Sequence, residues 1–103
     1  MNKNNCRFVY ICIPEETEKS EAKSCCMYAF REGLIPISPA YLMPRFLIEE
    51  QGDREKAEEK LSHYRDLCSE LWIFGKILTP GMKSDVLAAR KNKIKIRFIG
   101  GRI

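Results

Sequence analysis

Thr79-Pro80-Gly81-Met82, with Asp85 three residues further on, has the residue types and spacing in this chain best suited to chemistry. Thr79 is a natural N-cap, and Pro80 fits the first helical position, where its missing N–H is no loss. Gly81 and Met82 then fall in the first turn, with free backbone N–H groups and the positive end of the helix dipole. Asp85 stands four residues after Gly81, so the two share a face, and its side chain leans back toward the helix start. Gly81 has no side chain and leaves an opening above it. A carboxylate so placed is either a catalytic group facing a ligand or an acid favoured near a helix start by the dipole, and the spacing allows both.

Other chemistries find less support. The five cysteines form no C-x-x-C pair, which argues against a disulfide framework or a zinc ribbon. Cys25 and Cys26 would point about 100° apart on a helix and chelate one ion poorly, so they fit a buried face and no metal is expected. His63 stands alone on a helix and reads as a surface or interface residue. There is no G-x-G-x-x-G, no P-loop and no Ser/His/Asp set, so no cofactor is expected.

The elements that must position Asp85 follow from the apolar pattern. "CRFVYICIP" (6–14) is a near-continuous apolar run ended by Pro14, as in a strand buried on both faces of a parallel sheet. Ala22, Cys25, Cys26, Ala29 and Phe30 mark the stripe of a first helix, which Gly33 stops. "LIPIS" (34–38) is a short strand whose Pro36 suggests a sheet edge. Residues 39–53 are irregular but unusually apolar, with Tyr41, Met43 and Phe46. A second helix is expected from 53 to 68, with Ala57, Leu61, Tyr64 and Cys68 at helical spacing. "ELWIFG" (70–75) is a third strand with Trp72 in the core. "KIKIRFI" (93–99) is a fourth, where Ile94, Ile96 and Phe98 alternate with Lys95 and Arg97, so one face is wetter.

The order β-α-β-α-β-α-β implies right-handed crossovers and a parallel sheet. We therefore expect a single α/β domain over 1–103, a flavodoxin-like, doubly wound four-stranded sheet in the order 2-1-3-4 with about three helices. Ligands bind such sheets beyond the carboxyl ends of the strands, where the order reverses. Here that crevice lies between strands 1 and 3. It would be lined by Pro14, Glu15 and Glu16 on one side and by Gly75, Lys76 and the Thr79–Asp85 turn on the other. Tyr10 on strand 1 either packs in the core or touches the ligand.

Composition bounds the partners. At 103 residues, folding buries roughly 60–70% of the surface of the unfolded chain, which leaves little for a second domain. Eighteen Lys and Arg against fourteen Asp and Glu give a net charge of +4. Arg90 to Arg102 contains no acid; it could meet phosphates, but reads better as an edge strand whose lysines oppose aggregation. No basic stripe with interleaved aromatics suggests a nucleic-acid polymer as partner. No apolar run reaches the ~18–20 residues that span a membrane, and "MNKNNC" has no leader-like segment. A cytosolic protein with no membrane partner is expected.

Four segments taken together, "VYICIP", "AFREGLIPISPAYLMP", "ELWIFG" and "TPGMKSDVLAARK", resemble the nucleoside 2-deoxyribosyltransferase-like superfamily. The likeness is closest to its small bacterial and phage members and covers about residues 7 to 98. It implies a flavodoxin-like homo-oligomer that binds a nucleoside or nucleotide. In the catalytic members a glutamate on the helix after strand 3 attacks C1′ of the sugar and releases the base. A carboxylate suits that step because it stabilises and then traps an oxocarbenium-like centre. Asp85 matches that glutamate but is one methylene shorter, and a misplacement of about an ångström can cost about a hundredfold in rate. The loop "PEETEKSE" also departs from the Arg- and Gly-bearing loop of the small members. Glu15 and Glu16 would repel a phosphate but could accept hydrogen bonds from ribose hydroxyls. Both departures weaken catalysis more than binding.

The expectation is thus binding of a nucleoside- or nucleotide-derived ligand, with N-glycosidic cleavage or deoxyribosyl transfer through Asp85 as the associated chemistry. The alternatives are a non-catalytic sponge or sensor for an ADP-ribose-like or nucleotide signal, and an oligomeric interaction module built on the 39–48 segment and its neighbouring helix.

Overall fold

Helix-length spacings between the apolar runs force crossover connections, and in the computed structural model all three strand pairings are parallel. The structure describes residues 7–38, 59 and 62–100. Strand β1 (Phe8–Cys12) leads to helix α1 (Lys19–Arg31) and strand β2 (Ile35–Ile37). A helical segment α2 at 62–67 precedes β3 (Glu70–Phe74), which is followed by helix α3 (Pro80–Lys91) and strand β4 (Lys95–Gly100). The sheet order is β2-β1-β3-β4, the doubly wound, flavodoxin-like arrangement expected from the sequence. The apolar 39–53 stretch, with Tyr41, Met43 and Phe46, and most of the first half of the second helix lie outside the described residues.

Two cores flank the sheet. On one face Val9, Ile11, Trp72 and Phe74 pack against Ala22, Cys25, Cys26 and Ala29 of α1. On the other, Tyr10, Cys12, Leu71 and Ile73 pack against Met82, Val86 and Ala89 of α3 and against Cys68. Alternate residues of β1 and β3 thus serve opposite faces, which is why both strands read as continuous apolar runs. Each fully buried Val, Leu, Ile or Met contributes about 1.5–3 kcal/mol, so these two strands anchor the fold.

Three side chains depart from the expected stripes. Phe30 is 70% exposed: at 3.6 residues per turn it lies about 80° around α1 from Ala22, beyond a face that Cys25, Cys26 and Ala29 already fill. Tyr64 is 54% exposed, because α2 turns Arg65 and Cys68 inward instead. Phe98 is 69% exposed despite its place in the alternation of β4. It sits in register with Ile73, next to a register shift between Ile73 and Phe74.

The "ELW" motif has a local explanation. Glu70 and Trp72 lie two apart on one strand face, and the Trp72 indole Nε1 donates to Glu70 Oε1 at 2.7 Å in a buried setting. The Arg97 guanidinium lies over the Trp72 ring at 4.9 Å, and Tyr28 meets both Trp72 and Phe74 edge-on. These contacts seal the α1 side of β3 where no second helix covers it among the described residues.

Helix α1 ends on Gly33 at φ 92, a backbone state that glycine takes without steric cost. Helix α3 ends in the same manner on Lys93 at φ 60, where a side chain costs about 1–2 kcal/mol.

Candidate functional site

The strand order reverses between β1 and β3, and the residues expected to line a ligand site stand at the carboxyl ends of these two strands. Helix α3 is fixed there by the local chemistry of its start: Thr79 Oγ1 accepts from the Met82 N–H at 3.3 Å, with Pro80 next. Gly75 makes the turn out of β3 at φ 96 and donates its N–H to the Gly100 carbonyl at 2.8 Å. A glycine takes this positive φ without steric cost. Met82 is 2% exposed and packs in the α3-side core; its carbonyl lies 3.9 Å from Cys12 Sγ. Tyr10 is likewise a core residue at 6% exposure.

Asp85 is half-buried and does not stand alone. Arg65 of α2 donates from Nη1 to Asp85 Oδ1 at 2.6 Å, with the two side chains 15% and 23% exposed. Asp85 Oδ2 makes no hydrogen bond among the described residues. The opening that Gly81 leaves is taken by Glu15, whose Oε2 would lie 3.3 Å from a Cβ built at position 81. Glu15 comes from the turn after β1, closed by the Thr17 N–H donating to the Pro14 carbonyl at 3.1 Å. The structure thus gathers Glu15, Gly81 and Asp85, with Tyr10 and Cys12 below. Glu16 and Lys76 are exposed and make no hydrogen bond or ion pair among the described residues.

Burial pushes the Asp85 carboxyl above its ordinary value of 3.8; the hydrogen bond and charge of Arg65 pull it down, and the charge of Glu15 adds to the rise. Arg65 is the group that favours the carboxylate form in this setting. Burial, and then the charge of Asp85, also push the Tyr10 phenol upward. The same two causes push the Cys12 thiol up to about 12. Cys68, raised mainly by burial, also reaches about 12. These thiols are protonated at neutral pH and are poor nucleophiles. Beside these thiols stand the carboxylates of Asp85 and Glu15.

Arg65 was not among the residues singled out from sequence. One signal existed: Arg65 is four residues after Leu61 and three before Cys68, so it lies on the stripe expected to be buried, and a buried arginine needs an anionic partner. A second tie joins the same helices, with Asn92 Nδ2 donating to Asp66 Oδ1 at 3.0 Å. Among the described residues no group of three His, Cys, Asp or Glu side chains could hold a metal ion, and no helix is long and apolar enough to cross a membrane.

Residues 7–99 match the family model described as a domain of unknown function, DUF7768. No curated protein and no solved structure matches the chain.

Proposed function

Because the chain belongs to the DUF7768 family, a domain of unknown function, we propose from its own residues that it binds a nucleoside- or nucleotide-derived small molecule. The ligand would lie in the crevice beyond β1 and β3, and the protein would act as a homo-oligomer. The likeness of its four segments to the nucleoside 2-deoxyribosyltransferase-like superfamily supplies the ligand class. The observation that carries the reading is the half-buried Asp85, held by Arg65, with one carboxylate oxygen left over among the described residues and Glu15 close by. A carboxylate whose proton affinity is raised by burial in a crevice is a recurrent mark of a functional site.

The reaction open to this carboxylate is cleavage of an N-glycosidic bond. Asp85 Oδ2 would bond to C1′ as the C1′–N bond breaks, its electron pair leaving with the base, which takes up a proton from solvent. Water would then hydrolyse the glycosyl ester, or a second base would displace it. Arg65 would keep Asp85 ionised for the attack, and Glu15 would accept from a sugar hydroxyl.

The Arg65 bond also supports a second reading. It draws electron density from a carboxylate already one methylene short, and so favours holding a ligand over converting it. In that reading the protein sequesters or senses a nucleotide or ADP-ribose-like signal.

Mass spectrometry after incubation with nucleosides, nucleotides and ADP-ribose derivatives separates the two. Free base or a sugar adduct, both lost in Asp85→Asn, is the outcome expected of an enzyme. Intact ligand in fixed ratio to protein makes Asp85 a binding residue. Turnover undiminished in Asp85→Asn would sink the nucleophile assignment, and an empty crevice across the panel would sink both readings.

A further inference from the structure

The two edges of the sheet are unequal. The β2 edge is three residues long with Pro36 at its centre, so it offers little to a further strand. The β4 edge is six residues long, contains no proline and pairs only with β3 among the described residues. What guards it is charge. Arg90, Lys91, Lys93, Lys95 and Arg97 are all exposed around it, and no acid occurs from Val86 to Gly100.

Side chains sort by face along this strand. Ile94 and Ile96 pack against the α3-side core, and Phe98, in register with the core residue Ile73, lies on that same face. Lys95 and Arg97 are in register with Glu70 and Trp72 on the α1 side. The edge therefore presents cations on one face and an exposed aromatic ring, 69% accessible, on the other.

We propose that β4 is the docking edge for an acidic, extended peptide, which adds to the sheet as a fifth strand with acids and apolar residues in alternation. Main-chain hydrogen bonds to an open edge supply the general affinity, and alternate side chains supply the selectivity. Acids two residues apart would face Lys95 and Arg97, and an apolar residue would cover Phe98. The charges that favour this partner disfavour a second copy of the chain, because β4 paired with β4 brings Lys95 and Arg97 against the same cations. The inference is independent of the crevice and of the ligand proposed for it.

The test uses a fluorescent peptide of alternating glutamate and valine, the same residues in scrambled order, and the alternating lysine and valine peptide. Anisotropy at two salt concentrations is read beside hydrogen exchange of the β4 amides. The expected result is binding of the alternating glutamate peptide alone, weakened by salt, with slower exchange along β4. Lys93→Glu combined with Lys95→Glu should weaken it about tenfold or more; Arg97 is left intact because it lies over Trp72. Absence of binding would overturn the proposal. So would equal binding of the scrambled peptide, or displacement by a single-stranded oligonucleotide that leaves β4 exchange unchanged, which would make the edge a general polyanion surface.

Discussion

The Arg65–Asp85 pair and the β4 edge, which pairs only with β3 among the described residues, handle charge in opposite ways. In the crevice, Arg65 and Asp85 come from different helices, are largely withdrawn from water and meet at 2.6 Å. At the edge, Arg90 to Arg97 are neighbours in sequence, exposed, and without an acid among them. A withdrawn charge is tolerated only with a partner, whereas an exposed one is solvated at little cost. The Arg65 and Asp85 charges are therefore bound up with stability, while the edge charges, apart from Arg97 over the Trp72 ring, stay solvated.

The largest test of this contrast removes one crevice partner. Arg65→Ala or Asp85→Ala should cost about 1–3 kcal/mol in urea unfolding, between the values for exposed and fully buried pairs. Lys95→Ala should stay within about 0.5 kcal/mol. Equal losses at the two places would erase the distinction. A double-mutant cycle across Arg65 and Asp85 sharpens it by isolating the pair from the packing of the arginine stem.

Ionisation gives a further handle. The folded state raises the Asp85 pKa above 3.8, so its contribution to stability is fullest below that value and declines as pH rises through the folded pKa. Asp85→Asn lacks this titration. The stability of wild type relative to Asp85→Asn should therefore fall as pH is raised from about 3 toward neutrality, read from unfolding curves in each buffer. A difference that grows with pH would mean that Arg65 outweighs burial.

A smaller effect is expected where α3 runs down to the basic edge. Lys93 holds φ 60, the state that Gly33 fills at the end of α1. Lys93→Gly should stabilise the protein by up to about 1 kcal/mol, since relief of left-handed strain exceeds the entropy that glycine adds to the unfolded chain. It should leave ligand binding in the crevice unaltered.

The smallest shift is expected at Gly81. Alanine there gains at most about 0.5–1 kcal/mol of helix preference, offset by pressing on the Glu15 carboxylate at 3.3 Å. Glu15 is exposed and can move, so the melting temperature should hold or rise slightly. Binding of a crevice ligand should nevertheless weaken. Binding unchanged in Gly81→Ala would place the ligand elsewhere.

Much of the scaffold could be read from local pattern. Continuous apolar runs in β1 and β3, helical spacing in α1 and the Thr79-Pro80 start of α3 each depend on neighbours within a few residues. Their order along the chain suffices for a parallel 2-1-3-4 sheet. Where packing between elements decides, the pattern fell short. Phe30, Tyr64 and Phe98 lie outward although their spacing suggests an inward face, because the rotation of a helix or the edge of a sheet is set by what packs against it.

The candidate site divides in the same way. Sequence alone placed Asp85 one turn into a capped helix beside the switch point of the sheet, because capping and strand order are local or nearly local. It named Glu15 across from this turn but not its approach to Gly81, and it could not supply Arg65, which lies 20 positions earlier on another helix. Desolvation and ion pairing act through space, so the charge state of Asp85 is a property of the packed molecule, decided only when α2, α3 and the turn after β1 come together.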